Sequence, residues 1–365
     1  MKLKNIGFII ITTLITGLAI FILQQVSYDA QNIPPKQPYI NWRAQQKKES
    51  IRWKNTTEER VEFAVQHSKN SKQRIIRKGI LIKKPDARAI VLICHGFMCD
   101  KDDVRFLRTM FKDYTTLSFD FRAHGECTHG QYCTLGSREI YDVIGAVEYI
   151  KSQPDLQKLP IIAYGFSMGA VASIRAQAEA GNLFDAAIWD CPFDSTDKII
   201  ERSIERLKIN IGGYEFNLPG RSLLKKYAYN SYVQELLKAA LKTVAKMDSS
   251  AINTNIEPVD TIEAAKNIKI PALFISCKND TKAPVEAVVG VYGSATGYKR
   301  LWLTCGRHHF DSYFYNPEKY TYRVKLFIER FLDGKLAKDT RTSGIWDDMP
   351  IIDAAHSHCI IEAED

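Results

Sequence analysis

Short apolar runs alternating with helical stretches, from about Thr57 to Leu332, predict an α/β fold: a mostly parallel sheet with helices on both faces and a helical lid insertion. Three observations carry this expectation. AIVLICHG, TTLSFDF, PIIAYGF, AAIWDCPF and PALFISCKND are apolar through most of their length instead of alternating, as strands covered on both faces are. Helical stretches fall between them: DVRFLRTMFKD, EIYDVIGAVEYIKS, MGAVASIRAQAEA, VEAVVGVYGSA and the closing YTYRVKLFIERFL. The alternation stops once, over residues 194–257. There Ile199, Ile200, Ser203, Ile204 and Leu207 share one helical face, and Tyr232, Val233, Leu236, Leu237, Ala240, Leu241 and Val244 share another. NIGGYEFNLPGR reads as the turn between those two helices.

The flanks differ in kind. Lys2 and Lys4 precede an uncharged run over residues 6–23, close to the ~20 residues a membrane span needs and longer than most cleaved signal cores. Residues 1–27 are therefore expected to anchor the chain with its bulk exported, a cleaved signal being the alternative. Lys36, Arg43, Lys47 and Lys48 on the far side weigh against that orientation. Residues 28–56, rich in Pro and Gln and then charged, read as a linker. VEFAVQ and RIIRKGILIKK open the domain, residues 57–333, as a pair of strands. The tail, residues 334–365, shows no period, and its His356 and His358 read as exposed and inert. Across the 365 residues, 45% hydrophobic and 25% charged is ordinary for a globular core. The net charge of +8 is spread along the chain, which suits an anionic surface and argues against nucleic acid.

The chemistry centres on AYGFSMGA. Gly165-x-Ser167-x-Gly169 lies between a strand and a helix, where two glycines permit a tight turn that lifts the serine hydroxyl to the carboxyl edge of the sheet. Ser167 is the candidate nucleophile. An acyl-transfer serine needs donors for the oxyanion that develops. The N–H of Met168, at the head of the following helix, is one. The N–H of Phe97, after the strand ending in His95-Gly96, is the other, with His95 bracing its loop. Asp280 follows the apolar run PALFISCKN, with Asp190 and Asp194 as rivals after the preceding strand. TCGRHHFDSY offers two histidines, and position after Gly306 alone allows either His308 or His309.

CHGFM, SFDFRAHGEC, GFSMGA, DCPF, PALFISCKND and GRHHFD, in that order over roughly residues 57–333, resemble the α/β-hydrolase superfamily. Within it the chain resembles the lid-bearing lysophospholipase, monoacylglycerol lipase and serine aminopeptidase-like branch. The resemblance implies a triad in the order serine, acid, histidine, with Ser167, Asp280 and His309. His309 is implied because Gly306, His309 and Asp311 fit the family's glycine, two residues, histidine, one residue, acid pattern. Asp311 itself is not expected to orient the ring, being only two residues along the same loop. No cofactor is implied. The expected activity is hydrolysis of a carboxylic ester, an acyl ester or a lysophospholipid-like lipid, through an acyl-enzyme. A peptidase or thioesterase, or a non-catalytic binding protein on the same fold, are the alternatives.

DFRAHGECTHGQYC gathers His124, Cys127, His129 and Cys133, but at a spacing that matches no common zinc pattern. It reads as a loop beside the site in which Asp120, Arg122 and His124 brace their neighbours. In an exported domain Cys127 and Cys133 are expected to form a disulfide. Cys94, Cys277 and Cys305 read as buried thiols.

Overall fold

A computed structural model describes residues 57–336 and 343–345, apart from 127, 129, 206–207, 212–213, 218–219 and 236–251. The expected anchor and linker, the apolar stripe from Leu236 onward, Cys127, His129 and the histidines of the tail lie outside the described residues. No helix among those described is long and apolar enough to cross a membrane.

In chain order the elements are β1 (Thr57–Gln66), β2 (Arg74–Lys83), β3 (Ile90–Cys94), α1 (Arg105–Met110), β4 (Thr115–Phe119), α2 (Glu139–Ser152), β5 (Ile161–Phe166), α3 (Met168–Ala180) and β6 (Ala186–Asp190). Then follow α4 (Thr196–Glu205), β7 (Lys208–Ile211), β8 (Tyr214–Asn217), α5 (Arg221–Lys226), α6 (Thr261–Ala265), β9 (Ala272–Cys277), α7 (Val285–Ser294), β10 (Lys299–Thr304), α8 (Ser312–Tyr315), α9 (Pro317–Leu332) and β11 (Ser343–Ile345). The main sheet has nine strands in the order β1-β2-β4-β3-β5-β6-β9-β10-β11. β1 and β2 pair antiparallel, as do β2 and β4, and every other pair is parallel. The expected α/β architecture is the one observed.

Every residue of β3, β4, β5, β6 and β9 is buried, which is why their sequences run apolar without alternation. The strand pleat still sorts their side chains. Ile90, Leu92 and Cys94 join the core under α2, α3, α6 and α7, with Val143, Val147, Ile174 and Val288. Val91 and Ile93 join a second core with Leu107 and Met110 of α1 and Tyr320, Val324 and Phe327 of α9. Each fully buried Leu, Ile or Phe contributes roughly 1.5–3 kcal/mol, so the two cores hold the sheet between them.

The insertion between β6 and β9 departs from the expectation. NIGGYEFNLPGR is not a plain turn between helices: β7 and β8 form a separate antiparallel hairpin, with Ile211 paired to Tyr214. The β-prone Ile and Tyr of these segments favour a pleated ribbon. α4 follows the expected stripe, with Ile204 buried and Ile199 packed on the cluster of Val171, Cys191, Phe193, Val259, Cys277 and Ala283. Residues 231–235 are helical, as the second stripe predicted, although Tyr232 is exposed.

Candidate active site

β5 ends one residue before Ser167, and α3 begins one residue after it. Ser167 has φ 51° and ψ −121°, a conformation that L residues rarely adopt and that costs on the order of 1–3 kcal/mol. Its N–H donates to the Asp190 carbonyl (2.9 Å), which pins the turn to β6. The glycines make this turn possible. A Cβ on Gly169 would stand 2.1 Å from the Cys94 carbonyl oxygen, and one on Gly165 would stand 2.8 Å from the Ala170 nitrogen. Their absence lets the head of α3 press against the end of β3.

The serine hydroxyl donates to His309 Nε2 (2.8 Å), and His309 Nδ1–H donates to Asp280 Oδ2 (2.6 Å). With the proton held on Nδ1 by the carboxylate, Nε2 is left to accept. Asp280 lies in the turn after β9, its other oxygen accepting from the N–H groups of Lys282 (2.8 Å) and Ala283 (2.9 Å). Burial opposes ionisation of this carboxyl, but the His309 hydrogen bond and charge, joined by the two amides, outweigh it and hold Asp280 below its usual range. Asn279 Nδ2 donates to the Gly306 carbonyl (3.3 Å), tying the acid's turn to the histidine's loop.

His308 points elsewhere. Its side chain is 62% exposed and stands 3.6 Å from Asp311. Asp311 is occupied by the Arg307 amide, Nε and Nη2 at 2.8–3.0 Å, so it shapes the loop instead of orienting the His309 ring. The other rivals are also engaged. Asp194 forms a two-pronged pair with Arg202 of α4. Asp190 is fully buried and accepts from the Tyr320 hydroxyl (2.7 Å) and the Cys191 thiol (3.0 Å). Burial pushes its carboxyl up to about 6, against the pull of those two donors.

The two amides named for the oxyanion lie at the head of α3 and on the loop after β3. Met168 is the first residue of α3, where an N–H has no partner within the helix. Phe97 lies on the loop after β3, and among the described residues neither amide donates to a protein acceptor. The loop is braced from behind by two neutral imidazoles. His95 Nδ1–H donates to the Gly96 carbonyl (2.8 Å) while its Nε2 accepts from the Phe121 N–H (3.0 Å). His124 does the same for the Arg122 carbonyl (2.8 Å) and the Met98 N–H (3.2 Å). Burial lowers the pKa of both rings, that of His95 strongly. Arg122 grips Asp142 with Nε and Nη2, each at 2.9 Å, and Lys101 reaches Asp120 at 2.9 Å.

His124 thus has no ring nitrogen left for a metal, and the cysteines depart from expectation. Cys133 is a free, fully buried thiol 3.5 Å from the Met168 sulfur, not half of a disulfide with Cys127. The segment carrying it pairs inward with Asn253 and Asn255, which turns Cys133 into the core. Cys305 is not a buried thiol: it is half-buried and disulfide-bonded. Cys94 and Cys277 are buried and free. Phe310 was not singled out by sequence. It sits at φ 59° and stacks on Phe166 with centroids 3.7 Å apart, clamping the His309 loop onto the residue before the nucleophile. An aromatic on each side of the two catalytic candidates is its only sequence trace.

Sheet order, elbow and serine–histidine–carboxylate chain define a serine hydrolase of the α/β-hydrolase superfamily. A family model described as serine aminopeptidase, S33, matches residues 85–309, more than half of the chain, and the chain belongs to that family. Solved structures similar in fold include an esterase of Pyrococcus furiosus, 22% identical with a TM-score of 0.55, covering 76% of this chain and 93% of that one. A peroxisomal α/β-hydrolase of Saccharomyces cerevisiae is 13% identical with a TM-score of 0.51, covering 77% and 91%. Acetyl xylan esterase 1 of Thermoanaerobacterium is 14% identical with a TM-score of 0.50, covering 78% and 86%. No curated protein matches the chain.

Proposed function

We propose that the protein hydrolyses a carboxylic ester bearing an acyl chain, an acyl ester or a lysophospholipid-like lipid, through an acyl-enzyme on Ser167. The observation that carries the reading is the unbroken chain from Ser167 through His309 to Asp280, at 2.8 and 2.6 Å. His309 Nε2 takes the hydroxyl proton as Oγ attacks the carbonyl carbon. Asp280 steadies the imidazolium that forms. The N–H groups of Phe97 and Met168 meet the oxyanion, each such donor being worth roughly 10²–10³ in turnover. Collapse expels the alcohol, protonated by His309, and water repeats the sequence on the acyl-enzyme. Phe97 and Met98, 36% and 41% exposed beside the donor loop, offer an apolar surface to an acyl chain. The esterase relatives in fold point the same way.

The family's description favours a second reading, cleavage of an aminoacyl amide on the same three residues. A fluorophosphonate probe separates both from a non-catalytic role: it should label Ser167, and Ser167→Ala should abolish labelling together with hydrolysis of p-nitrophenyl esters. A folded protein that never labels would sink both readings. Aminoacyl p-nitroanilides cleaved in preference to p-nitrophenyl esters would select the second.

A further inference from the structure

Two thiols that hydrolysis does not use meet behind the catalytic residues. Cys191 follows β6 and Cys277 closes β9, both fully buried and outside any disulfide, and their sulfurs lie 4.0 Å apart. β6 and β9 run parallel with Asp190 beside Ile275, and the Cys191 N–H reaches the Ile275 carbonyl (2.9 Å). Carried one residue on, that register sets Cys191 beside Ser276, a single step short of Cys277. A strand spacing of ~4.8 Å and a rise of ~3.3 Å then put the two Cα atoms roughly 6 Å apart. Disulfides join Cα atoms about 4.4–6.8 Å apart, so rotation of the side chains closes the gap without displacing a strand.

The surroundings sort the two sulfurs by reactivity. Cys277 Sγ contacts the Ser312 hydroxyl (3.0 Å) and lies within hydrogen-bond reach of the Cys191 thiol. The hydrogen bond with Cys191, joined by those of Ser312 and Thr304, holds the Cys277 thiol below its usual range against the pull of burial. The same bond, together with burial, pushes Cys191 upward. Cys277 is therefore the sulfur that more readily becomes a thiolate, the form that attacks an oxidant. Access comes through the active site. Cys191 Sγ lies within 4.8 Å of an Asp280 carboxylate oxygen and a His309 ring nitrogen. The water that cleaves the acyl-enzyme must reach that same imidazole, and hydrogen peroxide is only one oxygen larger.

We propose that Cys191 and Cys277 are a site of reversible oxidation by peroxide, and that their disulfide slows hydrolysis by loosening the His309 loop. The slowing rests on the reading of His309 as the base. The Cys277 thiolate attacks one peroxide oxygen, the O–O bond breaks, and the departing hydroxide takes a proton and leaves as water. The Cys191 sulfur then displaces the hydroxyl of the resulting sulfenic acid, which leaves as water with the Cys191 proton. Two thiols and one hydrogen peroxide thus become one disulfide and two waters, with two electrons passing from sulfur to peroxide. Bonding at ~2.05 Å draws the sulfurs together by about 2 Å. The loop loses its support on both sides of His309. Gly306 packs so tightly on Cys277 that a Cβ there would stand 2.6 Å from its Sγ, and Ser312 holds the same sulfur.

The test treats the full-length protein with hydrogen peroxide and reads it by peptide mapping and by p-nitrophenyl ester kinetics. A Cys191–Cys277 linked peptide should form. kcat should fall by roughly a hundredfold, the order that a ~1 Å misplacement of a reacting group costs, and dithiothreitol should restore it. Cys191→Ser and Cys277→Ser should each remove the linked peptide and make kcat indifferent to peroxide. Both variants keep the disulfide of Cys305, so their indifference separates the response from that bond. Cys99→Ser should respond as the unmutated protein does. Absence of the linked peptide from the treated unmutated protein overturns the site without recourse to any variant. A linked peptide with undiminished kcat overturns the switch, as does a loss of kcat that persists in both serine variants. Mapping reports the thiols and fluorophosphonate labelling reports Ser167. A linked peptide in a protein that never labels when reduced would therefore refute the hydrolase reading and leave the oxidation site standing.

Discussion

The imidazole of His309 bridges Ser167 and Asp280, whereas that of His308 faces solvent one residue away. His309→Ala should lower turnover by roughly 10⁴-fold, because no other group takes the serine proton. His308→Ala should keep most of it, and p-nitrophenyl ester kinetics on the two variants decide the matter. A reversed pattern would shift the assignment to His308. Asp190 makes a different prediction, about stability. Its carboxyl stands at about 6 in the fold against 3.8 as a free side chain, so between those values the folded protein holds more protons than the unfolded chain. Folding therefore weakens as pH rises from about 4 to 6 and changes no further on this account, a swing on the order of 3 kcal/mol. Asp190→Asn keeps a carbonyl for the Tyr320 hydroxyl and loses the titration. Urea denaturation should show the variant gaining on the wild type between pH of about 4 and 7. A difference constant with pH would refute the burial argument.

At the scale of elements, the parts of the site that were legible in the sequence are those set by local rules. The buried strands announce themselves by unbroken apolar runs, and α3 starts where the glycine-flanked serine requires a turn. Asp280 and His309 were separable from their rivals only through the order and spacing of a known family, since strand ends alone left Asp190 and His308 open. What was misread depends on distance in space. Cys133 turned inward and Cys305 is disulfide-bonded, neither of which spacing along the chain can decide. Gly212 and Gly213 were taken as a break between helices when their β-prone flanks make β7 and β8. That hairpin and α5 expose Tyr214, Phe216, Leu223 and Tyr227. If the insertion shelters an acyl chain, esterase activity should climb from acetyl to octanoyl esters, each buried methylene adding about 0.8 kcal/mol to binding, and deletion of residues 194–257 should flatten the climb. A level profile in the intact protein would leave small esters or amides.

At the scale of the molecule, one twisted sheet carries both cores, and every chemical group of the site sits at the carboxyl ends of β3, β5, β6, β9 and β10, where parallel strands discharge their loops on one side. A sheet of this kind has two borders, each a row of unanswered backbone donors and acceptors. On the β1 side the border bears Glu58, Arg60 and Glu62, charges that discourage another strand from docking. On the opposite side β10 is met by Ser343–Ile345, paired in parallel through Leu301 and Ile345. Three residues are too few to announce a strand by periodicity, which is why the tail read as featureless. Their position gives them a protective task. A chain cut after Gly334 should still assemble its catalytic groups yet expose the flank of β10, and light scattering should then show it self-associating with rising concentration while the intact protein does not. The apparently idle tail would then be the part that keeps one copy of the hydrolase from becoming a template for the next.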